Sequence, residues 1–351
     1  MEMTRRILLI RRKSIKKHLC FLAVFLFINT MKGRAQDPSF SQFFSSPLNI
    51  NPALTGNING EWRAISNFRS QYAGPAYPYR TGTFSFDAKI LPDRIPEDHT
   101  FGIGTMFMYD KAMDGILKAT YASLNFSYNL KIMGDETSHY LGAGIGFIYG
   151  YRWVDFSRLI FGEQFTGNGF NTNLPTGESA LSDMKQYIST SAGLTYTLRS
   201  EYSNFDMGFS GFHLNKPKQT FLQDENQVLP IRWVAHANYE LFLNDYLVLN
   251  TNGVYMKQSS ASYFSVGGGL GRYIDVEGQS MLNLGMWYWS KNAIVPYVGF
   301  SYKNFQAGFS YDIAISKLND APQRPRTWEF SFIVRGAKND KPSGIIPCPW
   351  K

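Results

Sequence analysis

The sequence predicts an all-β protein, a transmembrane antiparallel barrel of about fourteen strands that follows a cleavable leader. Three observations lead to this fold class. The first 35 residues have the layout of an export signal, the remaining chain alternates apolar and polar residues with a period of two, and it holds one cysteine, Cys348. Strands with alternating faces in an exported chain are typical of outer-membrane barrels.

Residues 1–35 form the leader. They contain nine of the 35 basic residues and one of the 27 acidic residues, so the rest of the chain is neutral. A basic region over 1–18, an apolar run from Leu19 to Ile28 and small residues before Gln36 predict a signal peptide that is cleaved near Ala35. The apolar run is shorter than the roughly 20 residues that a membrane-spanning helix needs.

This composition also restricts the function. A neutral mature chain lacks the basic surface that nucleic-acid binding requires, and one cysteine cannot form an intramolecular disulfide. Ser210, His236 and Asp206 carry no nucleophile motif, and neither HExxH, CxxC nor a phosphate-binding loop occurs. The sequence therefore predicts a protein that is not an enzyme and has no metal and no cofactor.

Alternation is clearest in residues 122–130, ASLNFSYNL, and recurs in 83–90, 189–198, 307–315 and 328–334. One set of side chains is large and apolar, while the other is Ser, Asn, Gly and Thr with isolated charges. A large apolar set facing lipid and a polar set facing a lumen predict a barrel, and a secreted β-sandwich is the alternative. Aromatic residues near the strand ends would form the interfacial girdles: Tyr109, Tyr128, Tyr151, Tyr255, Trp287 and Trp289.

Turn residues between the alternating segments place fourteen strands. They are predicted at 61–72, 78–90, 99–110, 116–130, 138–151, 185–199, 202–213, 229–243, 245–256, 259–273, 278–290, 293–303, 305–317 and 326–336. If both termini are periplasmic, the long connections 152–184, 214–228 and 318–325 face outside and most turns on the other side are short. Bacterial barrels have this asymmetry, and the connection 91–98 is the exception.

Several stretches along the chain then carry a family resemblance. FSQFF at 40–44 precedes PLNINPALTG at 47–56, FGEQFTGNGF follows at 161–170, and FHLNKPKQTF lies at 212–221. Together with the Cys348-Pro349 tail, they resemble the PorP/SprF family of Bacteroidetes outer-membrane proteins of the type IX secretion system. One departure is that Trp350 is followed by Lys351, where many family members end close to the aromatic residue.

The resemblance implies a location in the bacterial outer membrane, among its lipids, and a role in secretion or surface anchoring. The implied partner is an exported surface protein with a C-terminal sorting domain, such as the adhesins of gliding relatives. Periplasmic ring lipoproteins and a peptidoglycan-binding protein are further implied partners. A passive channel or ligand transporter is the alternative function.

The long outer connections supply the candidate partner-binding residues. Aromatic residues in 152–184 would either pack together as a lid over the barrel mouth or present an apolar docking surface. The full candidate set is Trp153, Phe156, Phe161, Phe165, Asn168, Phe170, Lys216, Lys218 and Phe221.

Residues 36–60 precede the barrel, and residues 337–351 follow it as a tail. Proline and turn-forming residues in 47–56 predict a compact segment beside or inside the periplasmic opening, with plugging of the lumen as one hypothesis. Both end segments would contact periplasmic partners. Inward charges of mixed sign predict a solvated or cross-paired lumen: Asp87, Lys89, Asp206, Arg232, Glu240, Asp312, Glu329 and Arg335.

Overall fold

The structure is a computed structural model that describes residues 37–336 except 75, 97, 135–136, 179–183, 220–226 and 291. The leader with its cleavage site, the tail 337–351 with Cys348, and the candidate Phe221 lie outside the described residues. Within those residues, no helix has both the length and the hydropathy to cross a membrane.

Fourteen of the sixteen strands in the described chain form one closed antiparallel barrel, in which β1 pairs with β16. The two others, β6 and β7, form a separate hairpin. The strands are β1 Trp62–Ala73, β2 Tyr79–Ile90, β3 Thr100–Ala112, β4 Leu117–Met133, β5 Ser138–Val154, β6 Phe165–Thr166, β7 Gly169–Phe170, β8 Tyr187–Arg199, β9 Ser203–Phe212, β10 Arg232–Asn244, β11 Leu247–Gln258, β12 Ala261–Tyr273, β13 Ser280–Trp289, β14 Ala293–Tyr302, β15 Phe305–Ala314 and β16 Arg326–Gly336.

Short 3-10 turns lie before the first strand and between later strands. They lie at Phe43–Ser45, Pro47–Asn49, Pro52–Leu54, Pro92–Arg94, Met113–Gly115, Phe156–Arg158, Gly162–Gln164 and Lys317–Asp320.

Alternation along the strands produces the two faces of the wall. In β2, Phe84 and Phe86 are 50% and 40% exposed on the outer face, whereas Ser85 and Asp87 between them are buried on the inner face. The predicted fold class and the predicted number of fourteen barrel strands are confirmed. Both could be predicted because the alternating pattern marks each strand and the turn residues separate one strand from the next.

The barrel has two unlike ends. One end, called the loop end here, carries the connections 155–186 and 213–231, and the other, the turn end, carries turns such as 200–202 and 303–304. The chain leaves the luminal space at the turn end, where the amide of Glu61 donates to the carbonyl of Gly336 (2.8 Å).

Two of the predicted girdle residues are placed differently. Trp287 and Trp289 are 1% and 6% exposed and face the lumen. They lie on the same face of β13 as Met281 and Asn283, which are also buried. Tyr109, Tyr128 and Tyr255 do lie on the outer face. Predicting these two tryptophans as girdle residues was wrong, because their strand-end positions say nothing about which face they occupy.

The lumen is also less uniformly polar than the sequence predicted. In the half near the loop end, large apolar side chains face inward and contact one another. This cluster includes Met106, Met108, Tyr121, Ile148, Tyr187, Phe212, Val234, Val254, Met256, Trp287, Val295 and Tyr297. The residues that cover this cluster come from the segment that precedes β1.

Candidate functional site: a luminal segment and an exposed loop

The luminal segment, residues 38–60, runs through the barrel interior. It begins near the loop end, where the Ser39 carbonyl accepts from Arg69 of β1 (2.9 Å). It ends at the turn end, where Arg199 donates to Asn57 and Asn59 (2.8 and 2.7 Å). On the way it contacts strands on opposite sides of the barrel, so the segment crosses the lumen.

Local sequence explains its compact path. Pro47 and Pro52 each open a 3-10 turn, where a fixed φ and a missing N–H are tolerated. The Asn51 side chain accepts from the amide of Ala53 (2.9 Å) and caps the second of these turns. Gly56 has a φ of +66°, and a Cβ there would lie 2.8 Å from the Cα of Gly102, so the close approach to β3 requires glycine.

A buried charge cluster holds the start of the segment. Arg69 contacts Asp312 (3.0 Å) and Glu329 (3.6 Å), and all three side chains are at most 4% exposed. The amides of Ser41 and Gln42 donate to the Glu329 carboxylate (2.8 and 3.1 Å). The Arg69 guanidinium is shared between Asp312 and Glu329. The two amides of the segment supply the further hydrogen bonds that the buried Glu329 carboxylate needs.

A second ion pair holds the end of the segment. Arg63 of β1 makes two parallel hydrogen bonds to the Asp87 carboxylate of β2 (3.0 and 2.9 Å), and both side chains are buried. The amide of Gly56 donates to the same carboxylate (2.8 Å). Asp87 therefore links two barrel strands to the luminal segment.

Aromatic side chains of the segment pack against the barrel wall in the half near the loop end. The Phe44 ring lies 4.9 Å from that of Trp287 and 5.5 Å from that of Tyr297, measured between centroids. Phe43 and Leu48 are 5% and 2% exposed in the same apolar region. Burial of such side chains is the main favourable term that keeps the segment in place.

The Ser210, His236 and Asp206 side chains do not form a catalytic relay. The Ser210 hydroxyl donates to the carbonyl of Ile50 (2.5 Å), and His236 Nε2 lies 3.2 Å from Asn51 Nδ2. Asp206 accepts from the hydroxyl of Thr197 (2.8 Å). The first two contacts hold the luminal segment, and the third joins neighbouring strands.

The candidate residues of the long loop occupy several environments. Phe165 and Phe170 face each other across the β6–β7 hairpin, with ring centroids 5.0 Å apart, and remain 59% and 57% exposed. Asn168 is exposed in the turn of this hairpin. Phe161 is half-buried, and its amide donates to the side chain of buried Gln164 (3.1 Å).

The remaining loop candidates lie away from the hairpin tip. Trp153 is at the end of β5 beneath Lys118, whose Nζ is 4.7 Å from the ring centroid, and Phe156 is half-buried in a 3-10 turn. Lys216 and Lys218 are exposed on the separate connection between β9 and β10. The structure therefore brings together Phe165, Phe170 and Asn168, and leaves the other candidates on other parts of the loop end.

Two residues that hold the luminal segment, Arg63 and Arg69, are not among the charges that the sequence predicts to face inward. Arg63 and Arg69 lie in phase with the inward Ile65 and Asn67 of β1, so alternation would have assigned them to the lumen. Asp312 and Glu329 were placed inward correctly. Their pairing with Arg69 depends on β1 closing against β16, a contact between the two ends of the chain that periodicity alone does not reveal.

Comparisons with known proteins agree with this architecture. A family model described as type IX secretion system membrane protein PorP/SprF matches residues 32–334. A comparison with curated protein sequences finds no significant match.

Two solved mutants of the TodX monoaromatic hydrocarbon channel are similar in fold, each with a TM-score of 0.51. The deltaS2S3 mutant is 8% identical, with 85% of this chain and 94% of that chain covered, and the deltaS2 mutant is 9% identical, with 83% and 93% covered. A FadL homologue of Pseudomonas aeruginosa is 11% identical with a TM-score of 0.44, and the match covers 81% of this chain and 91% of that chain. Likeness at these identities concerns the fold.

Proposed function

Because the chain belongs to the PorP/SprF family of type IX secretion system membrane proteins, we propose that it anchors an exported surface protein at the outer membrane. The luminal segment makes the barrel a filled support, and the loop end carries the docking surface. The partner is an exported protein with a C-terminal sorting domain. Periplasmic ring lipoproteins and a peptidoglycan-binding protein would join the assembly from the turn end.

The observation that carries this proposal is the exposed aromatic pair on the β6–β7 hairpin. Phe165 and Phe170 contact each other, yet more than half of each side chain is accessible. A lid whose aromatic residues pack together would bury these rings. Exposed aromatic residues on a short hairpin instead supply large contact area at small entropic cost, as in many protein-binding surfaces.

Substitution of the pair tests the docking role. We expect Phe165→Ser with Phe170→Ser to release the partner from the cell surface, because the apolar contact area is lost, while the amount of folded barrel stays unchanged. Ile160→Ser is the matched control, since Ile160 is 57% exposed in the same loop but outside the hairpin. Surface protein is quantified on intact cells, together with barrel abundance. An equal fall in abundance would instead support a lid that stabilises the barrel.

The proposal also requires the loop end to face outside the cell. In a Cys348→Ser background, a cysteine at Asn168 should react with a membrane-impermeant reagent on intact cells. A cysteine at Asn304, in the opposite turn, should react after the outer membrane is broken. Reaction of the Asn168→Cys variant after breakage alone would contradict this orientation.

Affinity purification of a tagged barrel identifies the partner. A large exported protein with a C-terminal sorting domain, recovered from gently solubilised outer membranes, would support the anchor. The Phe165→Ser, Phe170→Ser variant should lose this protein and keep periplasmic partners. A barrel recovered alone after crosslinking would contradict the anchoring role.

A passive channel is the second candidate, favoured by the fold likeness to hydrocarbon channels. Against it stands the luminal segment, beside which lie a cavity of about 60 Å³ that contacts Phe43, Phe44 and His236 and another of about 130 Å³ at the turn end. Such volumes accommodate small clusters of water molecules. Single-channel recording distinguishes the candidates, since a filled barrel should stay silent, whereas steady conductance of the intact protein would favour the channel.

A further inference from the structure

A polar pocket at the turn end lies outside the roles described so far. Its volume is about 130 Å³, and it is enclosed by the last part of the luminal segment and by inward side chains of neighbouring strands. Lys89 enters from β2, Asn129 from β4, and Thr197 and Arg199 from β8, while Asn57 and Asn59 lie on the segment. Thr100 of β3 and Tyr140 of β5 also line it, so the pocket receives residues from five strands of the barrel wall.

The pocket has an excess of positive charge. Arg199 donates to the amide oxygens of Asn57 and Asn59, which are neutral acceptors, so these contacts leave its charge unbalanced. Within the described residues, neither Lys89 nor Arg199 makes a salt bridge with a carboxylate. No acidic residue of the described chain lines the pocket. The acids nearby are Asp206, which is bound to Thr197, and Glu61, whose carboxylate attracts the Lys89 ammonium without forming a salt bridge in the described residues.

A buried donor lines the same pocket. Asn129 is 8% exposed, and its Nδ2 has no acceptor among the described residues. A buried amide without a partner costs roughly 1–3 kcal/mol, so such groups usually meet water or a ligand. Here the amide lies beside two cationic side chains, an environment that favours an anionic acceptor.

We propose that this pocket binds a small tetrahedral oxyanion of the phosphate type. Lys89, Asn129 and Arg199 bring donors from three directions, which suits an ion whose oxygens point in different directions better than a planar carboxylate. Because Arg199 also holds Asn57 and Asn59, the bound anion stabilises the end of the luminal segment.

Calorimetric titration of the purified full-length barrel with inorganic phosphate, in buffer with excess chloride, tests the proposal. Wild type should bind one phosphate. Lys89→Met and Asn129→Leu should each weaken binding by about tenfold to a hundredfold, the range expected for a lost hydrogen bond to a charged group. Lys89→Arg keeps a cation and should bind within about threefold of wild type.

Lys131→Met is the matched control, because Lys131 lies at the same end of the barrel but contacts exposed Asp98 (3.2 Å). It should leave phosphate binding unchanged. Absence of phosphate-dependent heat in folded wild type, or equal weakening by Lys131→Met, would overturn the site. Acetate binding as tightly as phosphate would overturn the assignment to a tetrahedral ion. Unheated gel mobility verifies that each variant is folded.

Discussion

The two halves of the lumen hold the same segment by different means. Near the loop end, Phe43, Phe44 and Leu48 pack against inward aromatic and aliphatic side chains, and the Arg69 charge cluster is fully enclosed. Near the turn end, the buried Arg63–Asp87 pair holds the segment through the amide of Gly56, and the wall around it is lined mainly by amides and hydroxyls. Several of these buried atoms lack a protein partner in the described residues. We infer that the first half fixes the position of the segment and that, outside this ion pair, the second half tolerates change.

The largest effect should come from removing the cation of the charge cluster. Arg69→Met leaves the Asp312 and Glu329 carboxylates buried without their guanidinium, so we expect a loss of about 3–5 kcal/mol in the free energy of unfolding. Urea titration of the folded barrel measures it. The variant Arg69→Met, Asp312→Asn, Glu329→Gln, which removes all three charges, should lose far less. Equal losses would mean that uncompensated charge is not the cause.

Truncating the aromatic contact should cost somewhat less. Phe44→Ala removes a half-buried ring that contacts Trp287 and Tyr297, and we expect about 3 kcal/mol, at the lower end for a buried phenylalanine. Quenching of tryptophan fluorescence by a soluble quencher reports the opening around Trp287. Phe44→Leu keeps most of the volume and should retain protection; unchanged quenching in Phe44→Ala would contradict the packing argument.

A smaller loss is expected midway along the segment. Asn51→Ala removes the cap on the amide of Ala53 and the donor to the carbonyl of Leu194 (3.0 Å), so about 1–2 kcal/mol should be lost. Asn51→Asp retains the cap and lacks the donor, and should fall between the two proteins in urea titration. A loss in Asn51→Asp as large as in Asn51→Ala would assign the effect to the donor.

The smallest effect is predicted for the polar half. Both amide atoms of Asn283 are buried without a partner among the described residues, so Asn283→Leu should change stability by less than about 0.5 kcal/mol or increase it. Asn252→Leu is the matched variant, because Asn252 Oδ1 accepts from the Trp287 indole (2.7 Å), and its loss should cost about 1–3 kcal/mol. Equal effects of the two changes would contradict the difference drawn between them.

Sequence periodicity predicted the wall of the barrel because each strand carries its own two-residue pattern. Thus Phe84 and Ser85 are assigned to opposite faces without any knowledge of their neighbours. The contents of the lumen depend on contacts between distant parts of the chain. The residues around Trp287 in the sequence do not indicate that Phe44 packs against its ring. The alternation of β13 is the one signal that would have placed Trp287 on the luminal face.

The candidate docking residues show the same limit. The motif in 161–170 marked the loop, but the pairing of Phe165 with Phe170 depends on a two-residue turn formed by Gly167 and Asn168. That hairpin determines which aromatic residues are exposed. The motif alone does not separate them from Phe161, which is half-buried beside Gln164.

One contact described above joins parts of the chain that lie far apart in sequence. The amide of Ser41 binds Glu329 of the last strand, 288 positions later in the chain. Because β1 and β16 pair at the seam that closes the barrel, the segment, which binds Arg69 of β1 and Glu329 of β16, spans this seam from the luminal side. The segment thus fastens the first strand of the barrel to the last, in addition to filling the space between the walls.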